Sequence, residues 1–265
     1  MLGGRRGFLY AFSILSSLVI LFILSPLIYI FLAADYGLVS RILFLDEAYV
    51  KEVWGAFLTT FNAATLSTTF LILTGVPLGY LLSRYEFRFR SLVESVINIP
   101  FLLPHSVAGI FILITYGSKG PVGGFLANLG MRIEDSFWGI IAAMAFVSAP
   151  ILINTVRDGF TSIERDIEYV ARSLGAGPLT VFLEVSLPLA SRSIVTGCLL
   201  SWARAVSEVG ALLIVAYYPK TINILVIEWF NTYGLSMAIA LTIPLILLSI
   251  LLFLLVRKVA GRELG

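Results

Sequence analysis

The sequence has few charged side chains and almost none of the residues that build catalytic or metal centres. Only 13% of its 265 residues are Asp, Glu, Lys or Arg, whereas 59% are hydrophobic, and the mean hydropathy is +0.98. Ordinary soluble domains have about 25% charged and about 45–50% apolar residues. The composition therefore excludes a water-soluble globule and a disordered chain, and it predicts an integral membrane protein with short loops.

Other absences exclude particular chemistries. A single cysteine, Cys198, and a single histidine, His105, cannot form an internal disulfide or a four-ligand zinc site. The sequence contains no G-x-x-x-x-G-K-[ST] phosphate loop, no H-E-x-x-H zinc motif and no G-x-S-x-G nucleophile motif. The net charge of +2 indicates no nucleic-acid partner. We therefore expect that the chain is not an enzyme and holds neither a cofactor nor a metal ion of its own.

Six stretches are apolar and long enough to cross a lipid bilayer. A helix needs about 20 mainly apolar residues to span a hydrocarbon core of about 30 Å. The predicted spans cover residues 8–33, 55–83, 92–116, 137–156, 194–217 and 235–256. The first is longer than the apolar core of a signal peptide, and we expect it to be retained. Pro100 and Pro104 each remove a backbone donor one turn apart, so we expect the third span to bend or break there.

The basic residues of the short loops predict the orientation, because Lys and Arg are enriched on the cytoplasmic side of membrane proteins. With six spans, both termini lie on one side. That side carries twelve basic residues, namely Arg5, Arg6, Arg84, Arg88, Arg90, Arg157, Arg165, Arg172, Arg192, Arg257, Lys258 and Arg262. The other side carries five, namely Arg41, Lys51, Lys119, Arg132 and Lys220. We expect both termini in the cytoplasm and the chain in the plasma membrane.

The longest hydrophilic segment, residues 157–192, has the signals of two short helices joined by a sharp turn. Thr161 and Glu164 have the spacing of a capping box, which begins a helix. Gly175 stands where a helix ends in a left-handed residue, and Pro178 fits the first position of the next helix. Apolar residues recur along one face of the first helix, at Ile163, Ile167, Val170 or Ala171, and Leu174.

This pattern favours a rigid helical projection that another protein docks against. Its outer face would carry Glu168, Tyr169, Arg172 and Ser173. A surface helix that packs only on its own bundle is the alternative.

The same segment resembles the coupling-loop motif of ABC importer permeases. That motif reads Glu-Ala-Ala, three residues, Gly, nine residues and then Ile-x-Leu-Pro. The matching positions are Tyr169-Val170-Ala171, Gly175 and Val185-Ser186-Leu187-Pro188. Tyr169 and Val170 depart from the motif, so no contact of its Glu is carried over, and Glu168 is the neighbouring substitute. Residues 201–219 (SWARAVSEVGALLIVAYYP) and 98–110 (NIPFLLPHSVAGI) resemble molybdate/tungstate permeases, and the related sulfate/thiosulfate permeases are similar in the same places.

The resemblance implies a fold, a function and a set of partners. The fold is an all-α integral membrane protein, one transmembrane domain over residues 1–265, with six transmembrane helices and a cytoplasmic coupling-helix loop as in type I ABC importers. The function is import of a tetrahedral oxyanion, with molybdate or tungstate favoured, by alternating access. The partners are a second copy of the chain, two ATP-binding cassette subunits that hold ATP and Mg, and an extracytoplasmic oxyanion-binding protein. The coupling residues are Glu168, Tyr169, Ala171, Arg172, Ser173, Leu174 and Gly175.

Two alternative functions stay open. One is a sulfate/thiosulfate ABC permease. The other is an ion-coupled secondary transporter, which would need an intramembrane relay of ionisable residues beyond Arg204 and Glu208.

Arg204 and Glu208 are the most informative polar residues within the predicted spans. An arginine near the bilayer centre costs about 2.5–3.5 kcal/mol, and Glu208 lies four residues later on the same predicted helix face. Either Arg204 lines the path of a dianion and Glu208 restrains it when the path is empty, or the two form a structural ion pair.

Further path candidates are His105, Ser106, Thr65 and Thr68. For these, a buried and satisfied histidine, and hydroxyls that only bridge helices, are the alternatives.

Overall fold

The computed structural model describes residues 2–260, apart from the side chains of residues 2–7, 10, 11, 252, 256, 257, 259 and 260. Every regular element within this range is helical. The helices are α1 (Leu2–Ala33), α2 (Tyr36–Ser40), α3 (Glu47–Arg84), α4 (Arg90–Leu102), α5 (His105–Tyr116), α6 (Gly123–Asn128), α7 (Phe137–Thr161), α8 (Arg165–Ser173), α9 (Pro178–Thr180), α10 (Leu187–Leu189), α11 (Ser191–Val206), α12 (Leu212–Val215), α13 (Ile222–Tyr233) and α14 (Leu235–Ala260). Two π-helical segments, Arg41–Leu45 and Val181–Ser186, follow α2 and α9.

Part of the predicted orientation rests on residues that lie outside the described ones. These are Arg262 and the side chains of Arg5, Arg6 and Arg257.

Four helical stretches in the described range are long and apolar enough to cross a membrane. They are Phe12–Ala33, Glu47–Arg84, Phe137–Thr161 and Leu235–Leu255. Two bent pairs raise the total to as many as six spans: α4 with α5, bent by 120°, and Pro178–Leu189 with α11, bent by 71°.

The predicted break in the third span is confirmed, and it lies at Pro104. α4 runs through Pro100 and ends at Leu102, and α5 begins at His105. Leu103 is extended, with φ −81° and ψ 139°, because the ring of a following proline disfavours the helical conformation.

The fifth predicted span differs from the expectation of one helix over residues 194–217. α11 ends at Val206, and only Leu212–Val215 is helical again. Side chains form hydrogen bonds with three backbone groups at this end of α11, which favours a non-helical connection. The Glu208 carboxylate accepts the N–H of Ala211 at 2.8 Å, and Asn223 Nδ2 donates to the carbonyls of Val206 and Glu208 at 2.6 and 3.1 Å.

Helix α7 is the central helix of the compact unit that contains residues 51–225. It packs against α4, α5, α11 and α12. Its buried residues, including Met144, Val147, Leu152 and Val156, belong to two apolar clusters. Glycine allows α3 to approach α7 closely, because a Cβ atom at Gly79 would lie 2.9 Å from Val156 Cγ1 and within 3.3 Å of backbone atoms.

A second compact unit contains residues 1–50 and 226–247. The apolar window of α1, Phe12–Ala33, has no buried residue, as expected for a helix that faces lipid. Trp229 is 1% exposed, and its ring packs edge-on against Tyr49 and Tyr233 at centroid distances of 5.4 and 6.2 Å.

The Gly79→Ala substitution should lower the stability of the protein by about 1–3 kcal/mol, because the new methyl group overpacks the contact with α7. The midpoint of thermal unfolding in detergent measures this change. The matched control is Gly55→Ala on the same helix, where no atom lies within 4 Å of the added Cβ. Equal midpoints for the two variants would contradict the close contact.

Candidate functional site

Three of the predicted path residues meet where two helices are interrupted. Arg204 lies in the last turn of α11, Glu208 follows the end of that helix, and His105 is the first residue of α5. Arg204 Nη2 lies 2.8 Å from Glu208 Oε2 and 2.7 Å from His105 Nδ1, and His105 Nδ1 lies 2.9 Å from Glu208 Oε2. The ion pair predicted from the helix spacing therefore forms although Glu208 lies beyond the helix.

The three side chains differ in exposure. The Glu208 side chain is 1% exposed, whereas those of Arg204 and His105 are 21% and 54% exposed. The interpretation of His105 as a buried histidine is therefore wrong: it stands at the start of a helix, beside the interruption. The Glu208 carboxylate is buried, the Arg204 side chain is partly exposed, and the His105 side chain is exposed. A guanidinium offers paired N–H donors that suit an oxyanion, so this surface of the cluster is suited to contact an anion.

Two glycines let the interrupted segments approach each other. A Cβ atom at Gly210 would lie 2.5 Å from His105 Cβ, and one at Gly109 would lie 2.7 Å from the carbonyl oxygen of Ala211. α5 packs against α12 at this place. The close approach at these two glycines explains why His105 and Glu208, which are 103 residues apart in the sequence, come into contact.

The hydroxyl candidates occupy different surroundings. Thr65 is exposed, and its Oγ1 accepts a hydrogen bond of 3.1 Å from Trp202 Nε1 on α11. Thr68 is 5% exposed, and its Oγ1 has no hydrogen-bond partner among the described residues. Ser106 is exposed and follows His105. Thr65 thus bridges α3 and α11, which agrees with the alternative that these hydroxyls connect helices.

The loop between α5 and α7 holds the chain segment after α12. The N–H of Asp135 donates to the carbonyl of Val215 at 3.0 Å, and Asp135 Oδ1 accepts the N–H of Tyr217 at 3.1 Å. The adjacent Glu134 accepts the Ser118 hydroxyl at 2.7 Å and also the Ser118 N–H. These hydrogen bonds from Ser118 lower the pKa of Glu134, because they stabilise the carboxylate.

The turn of the predicted coupling loop agrees with the sequence signals in part. Gly175 is left-handed, with φ +96°, and Pro178 begins α9, as predicted. The predicted capping box is wrong. Thr161 is the last residue of α7, and its hydroxyl donates to the carbonyl of Arg157 at 2.8 Å. Glu164 precedes α8 without a capping hydrogen bond from its side chain.

The prediction that Glu168 lies on the outer face of this loop is also wrong. Its side chain is 3% exposed and forms an ion pair of 2.7 Å with Arg84, whose side chain is 5% exposed. Ser186 donates to the same carboxylate at 2.7 Å, and Tyr80 donates to its second oxygen at 3.4 Å. Arg172 Nη2 lies 3.6 Å from Glu168.

The apolar face of α8 points away from the bundle, because the charged face has its partners inside. Ile167, Val170 and Leu174 are 43%, 58% and 83% exposed, and Tyr169 is 56% exposed. Of the other predicted coupling residues, Arg172, Ser173 and Gly175 are exposed, and Ala171 is half-buried.

The sequence did not predict that Arg84, Tyr80 and Ser186 surround Glu168. The one sequence signal for this cluster was that Glu168 lies away from the apolar face of its helix.

Comparison with known proteins places the chain among transport components. Residues 75–263 match the family described as binding-protein-dependent transport system inner membrane component. The molybdate/tungstate transport system permease protein WtpB of Pyrococcus abyssi is 42% identical over 263 residues, which cover 98% of this chain and 99% of that protein. The protein of the same name from Methanocaldococcus jannaschii is 42% identical over 96% of this chain and 97% of its own length. The chain belongs to this family of permeases.

The permease is a subunit of an ABC importer and a transport component rather than an enzyme, which confirms the resemblance. A probable sulfate transport system permease protein, cysT of Anthoceros angustus, is 30% identical over 78% of this chain and 73% of its own length. The fold is similar to that of a bacterial alginate ABC transporter, with a TM-score of 0.70 and 15% identity over 97% of this chain and 96% of that one. An inward-facing methionine ABC transporter matches with a TM-score of 0.64 and 16% identity, over 82% of this chain and 98% of that one. The all-α permease fold is therefore confirmed.

The Glu208→Gln substitution should destabilise the permease by about 1–3 kcal/mol, because it removes charge-assisted contacts with Arg204 and His105 from a buried position. Thermal unfolding in detergent measures the change. The control is Ser106→Ala at the exposed position next to His105. The stability of this variant should stay within about 0.5 kcal/mol of that of the unchanged protein. A Glu208→Gln variant as stable as this control would contradict the ion pair.

Proposed function

We propose that the permease imports a tetrahedral oxyanion, molybdate or tungstate, by alternating access driven by a partner ATPase. The observation that carries the proposal is the 42% identity, over nearly the whole length, to permeases named for molybdate/tungstate transport. The sulfate permeases are more distant, at 30% identity over 78% of the chain. Sulfate is chemically similar to molybdate, as both are tetrahedral dianions, so sulfate is the second candidate substrate.

The proposed assembly contains a second copy of the chain, two ATP-binding subunits that hold ATP and Mg, and an extracytoplasmic oxyanion-binding protein. The chain itself needs no cofactor. In this proposal residues 1–265 are one transmembrane domain with six spans, each bent helix pair counting as one. An even number of spans puts both termini on the same side of the membrane, and we propose that this side is the cytoplasm. The excess of basic residues in the loops 84–90 and 157–192 supports this orientation.

The exposed apolar face of α8 supports docking of the ATPase at residues 157–192. Val170 and Leu174 are large apolar residues one helical turn apart that face away from the bundle, and the neighbouring Tyr169 is also exposed. An apolar patch surrounded by polar residues is typical of a protein interface. Arg172 and Ser173 lie beside it, and Ala171 and Gly175 are small enough for close approach of a partner backbone.

The cluster of Arg204, His105 and Glu208 supports an anion path between the interrupted helices. In the proposed mechanism, Arg204 and His105 contact the passing oxyanion. Glu208 neutralises Arg204 when the path is empty, which prevents an anion from being held too tightly to leave. Ser106, Thr65 and Thr68 are further proposed polar contacts along the path.

Reconstitution tests the function as a whole. Vesicles that contain the permease, its ATPase and the oxyanion-binding protein should accumulate molybdate only with ATP, and tungstate should compete more strongly than sulfate. Stronger competition by sulfate would favour the second substrate. Uphill accumulation by the permease alone would instead show a secondary transporter.

The Arg204→Ala substitution should reduce ATP-dependent molybdate uptake by about tenfold or more, because a charge-assisted contact with the anion is lost. The ATPase should still co-purify with this variant. Arg88→Ala, which removes an exposed arginine elsewhere, is the control and should transport normally. Normal uptake by Arg204→Ala would leave only the structural interpretation of the pair.

The Leu174→Glu substitution should reduce co-purification of the ATPase about tenfold or more, because it places an unpaired charge in the proposed apolar interface. The control is Leu129→Glu, an exposed leucine in a different loop, which should leave co-purification unchanged. Equal recovery of the ATPase with both variants would exclude α8 as the docking helix.

A further inference from the structure

We propose that the buried pair of Arg84 and Glu168 is the connection through which α8 moves the end of α3. The proposal rests on the proposed function, in which a partner ATPase pushes on α8. The loop 157–192 joins α7 and α11 covalently, so these two helices follow α8 in any case. α3 ends 81 residues earlier in the chain than α8 begins, so its direct connection to α8 consists of contacts between distant residues.

Reciprocal arginine contacts join the two helix ends. Arg84, the last residue of α3, donates through Nε to Glu168 at 2.7 Å and through Nη2 to the carbonyl of Ile163 at 3.2 Å. In the opposite direction Arg165, the first residue of α8, donates to the carbonyl of Ser83 at 3.1 Å. Arg84 therefore binds the backbone just before α8, and Arg165 binds the backbone at the end of α3, so a shift of either helix end breaks several hydrogen bonds at once.

Burial makes this connection rigid. The side chains of Arg84 and Glu168 are 5% and 3% exposed, so the pair is shielded from water. By contrast, an exposed ion pair contributes little and is exchanged readily with solvent. A separation of the pair would leave the Arg84 guanidinium in the interior without its carboxylate partner, which opposes a movement of α8 without α3.

The return segment of the loop joins the same cluster. Ser186, the last residue of the π-helical segment, donates to Glu168, and Tyr80 of α3 donates to the other carboxylate oxygen. The Tyr80 ring lies 4.8 Å from Phe182 and 5.2 Å from Phe160 at the end of α7. The ends of α3 and α7, the helix α8 and the π-helical segment thus form one packed block around a single carboxylate.

A coupling role and a purely structural role predict different measurements. A structural pair affects folding and assembly, so that its loss lowers ATP hydrolysis and transport together. A coupling pair affects the amount of anion transported for each ATP that is hydrolysed. The two quantities are measured in the same vesicles, and their ratio decides between the two roles.

The test uses the full complex of permease, ATPase and oxyanion-binding protein in vesicles, with molybdate as the transported anion. Glu168→Gln keeps the shape of the side chain and removes its charge. We expect ATP hydrolysis within about twofold of the unchanged complex, and molybdate transported per ATP lowered about tenfold. The exposed apolar face of α8 is untouched by this substitution, so the ATPase stays bound.

Glu184→Gln is the matched control, because Glu184 is an exposed carboxylate in the same loop. The amount of molybdate transported per ATP should not change in this variant. An unchanged ratio of molybdate transported to ATP hydrolysed in Glu168→Gln overturns the proposal.

If the Glu168→Gln complex fails to assemble, Tyr80→Phe and Ser186→Ala test the proposal, because each removes a single donor to Glu168. These variants should lower the ratio about twofold or more, and unchanged ratios in both overturn the proposal. Absence of ATP-dependent molybdate uptake by the unchanged complex would instead refute the proposed function.

Discussion

A carboxylate inside a low-dielectric interior is stable only where donors surround it, and two such carboxylates organise this permease. Glu168 is held by Arg84 and Ser186, and Glu208 by Arg204 and the backbone of Ala211. Glu208 follows the end of α11, and Glu168 of α8 contacts the end of α3. In a chain with so few charged residues, these two clusters bind together segments that apolar packing alone would leave free to slide.

Interruptions of the helices create the chemistry of the site. A continuous helix satisfies its own backbone and presents only side chains, whereas an interrupted helix in a membrane protein needs other groups to satisfy the backbone atoms it frees. At residues 207–211 these groups are the side chains of Glu208 and Asn223. At the other interruption, Pro104 has no N–H to satisfy, and His105 begins a new helix there. Two interruptions side by side place an arginine, an imidazole and a buried carboxylate next to one another.

The loop 157–192 shows how the charge of one face determines the use of the other. The partners of Glu168 lie inside, so α8 turns its charged face towards the bundle and leaves Val170 and Leu174 exposed. An amphipathic helix on a soluble protein does the reverse. The inversion supports a partner protein that covers the apolar face, and the buried ion pair and the hydrogen bonds beside it connect α8 to the end of α3.

The sequence by itself determined the class of the protein and much of its local structure. The apolar runs require a membrane, Pro104 breaks a helix by its own covalent geometry, and Gly175 and Pro178 set the turn of the loop, because these effects depend only on neighbouring residues. The tertiary structure alone decided which way α8 faces, that the fifth predicted span stops at Val206, and that His105 lies exposed beside Arg204. Those outcomes depend on Arg84, Asn223 and Gly210 as partners, and no periodicity in the sequence shows which distant residues will meet.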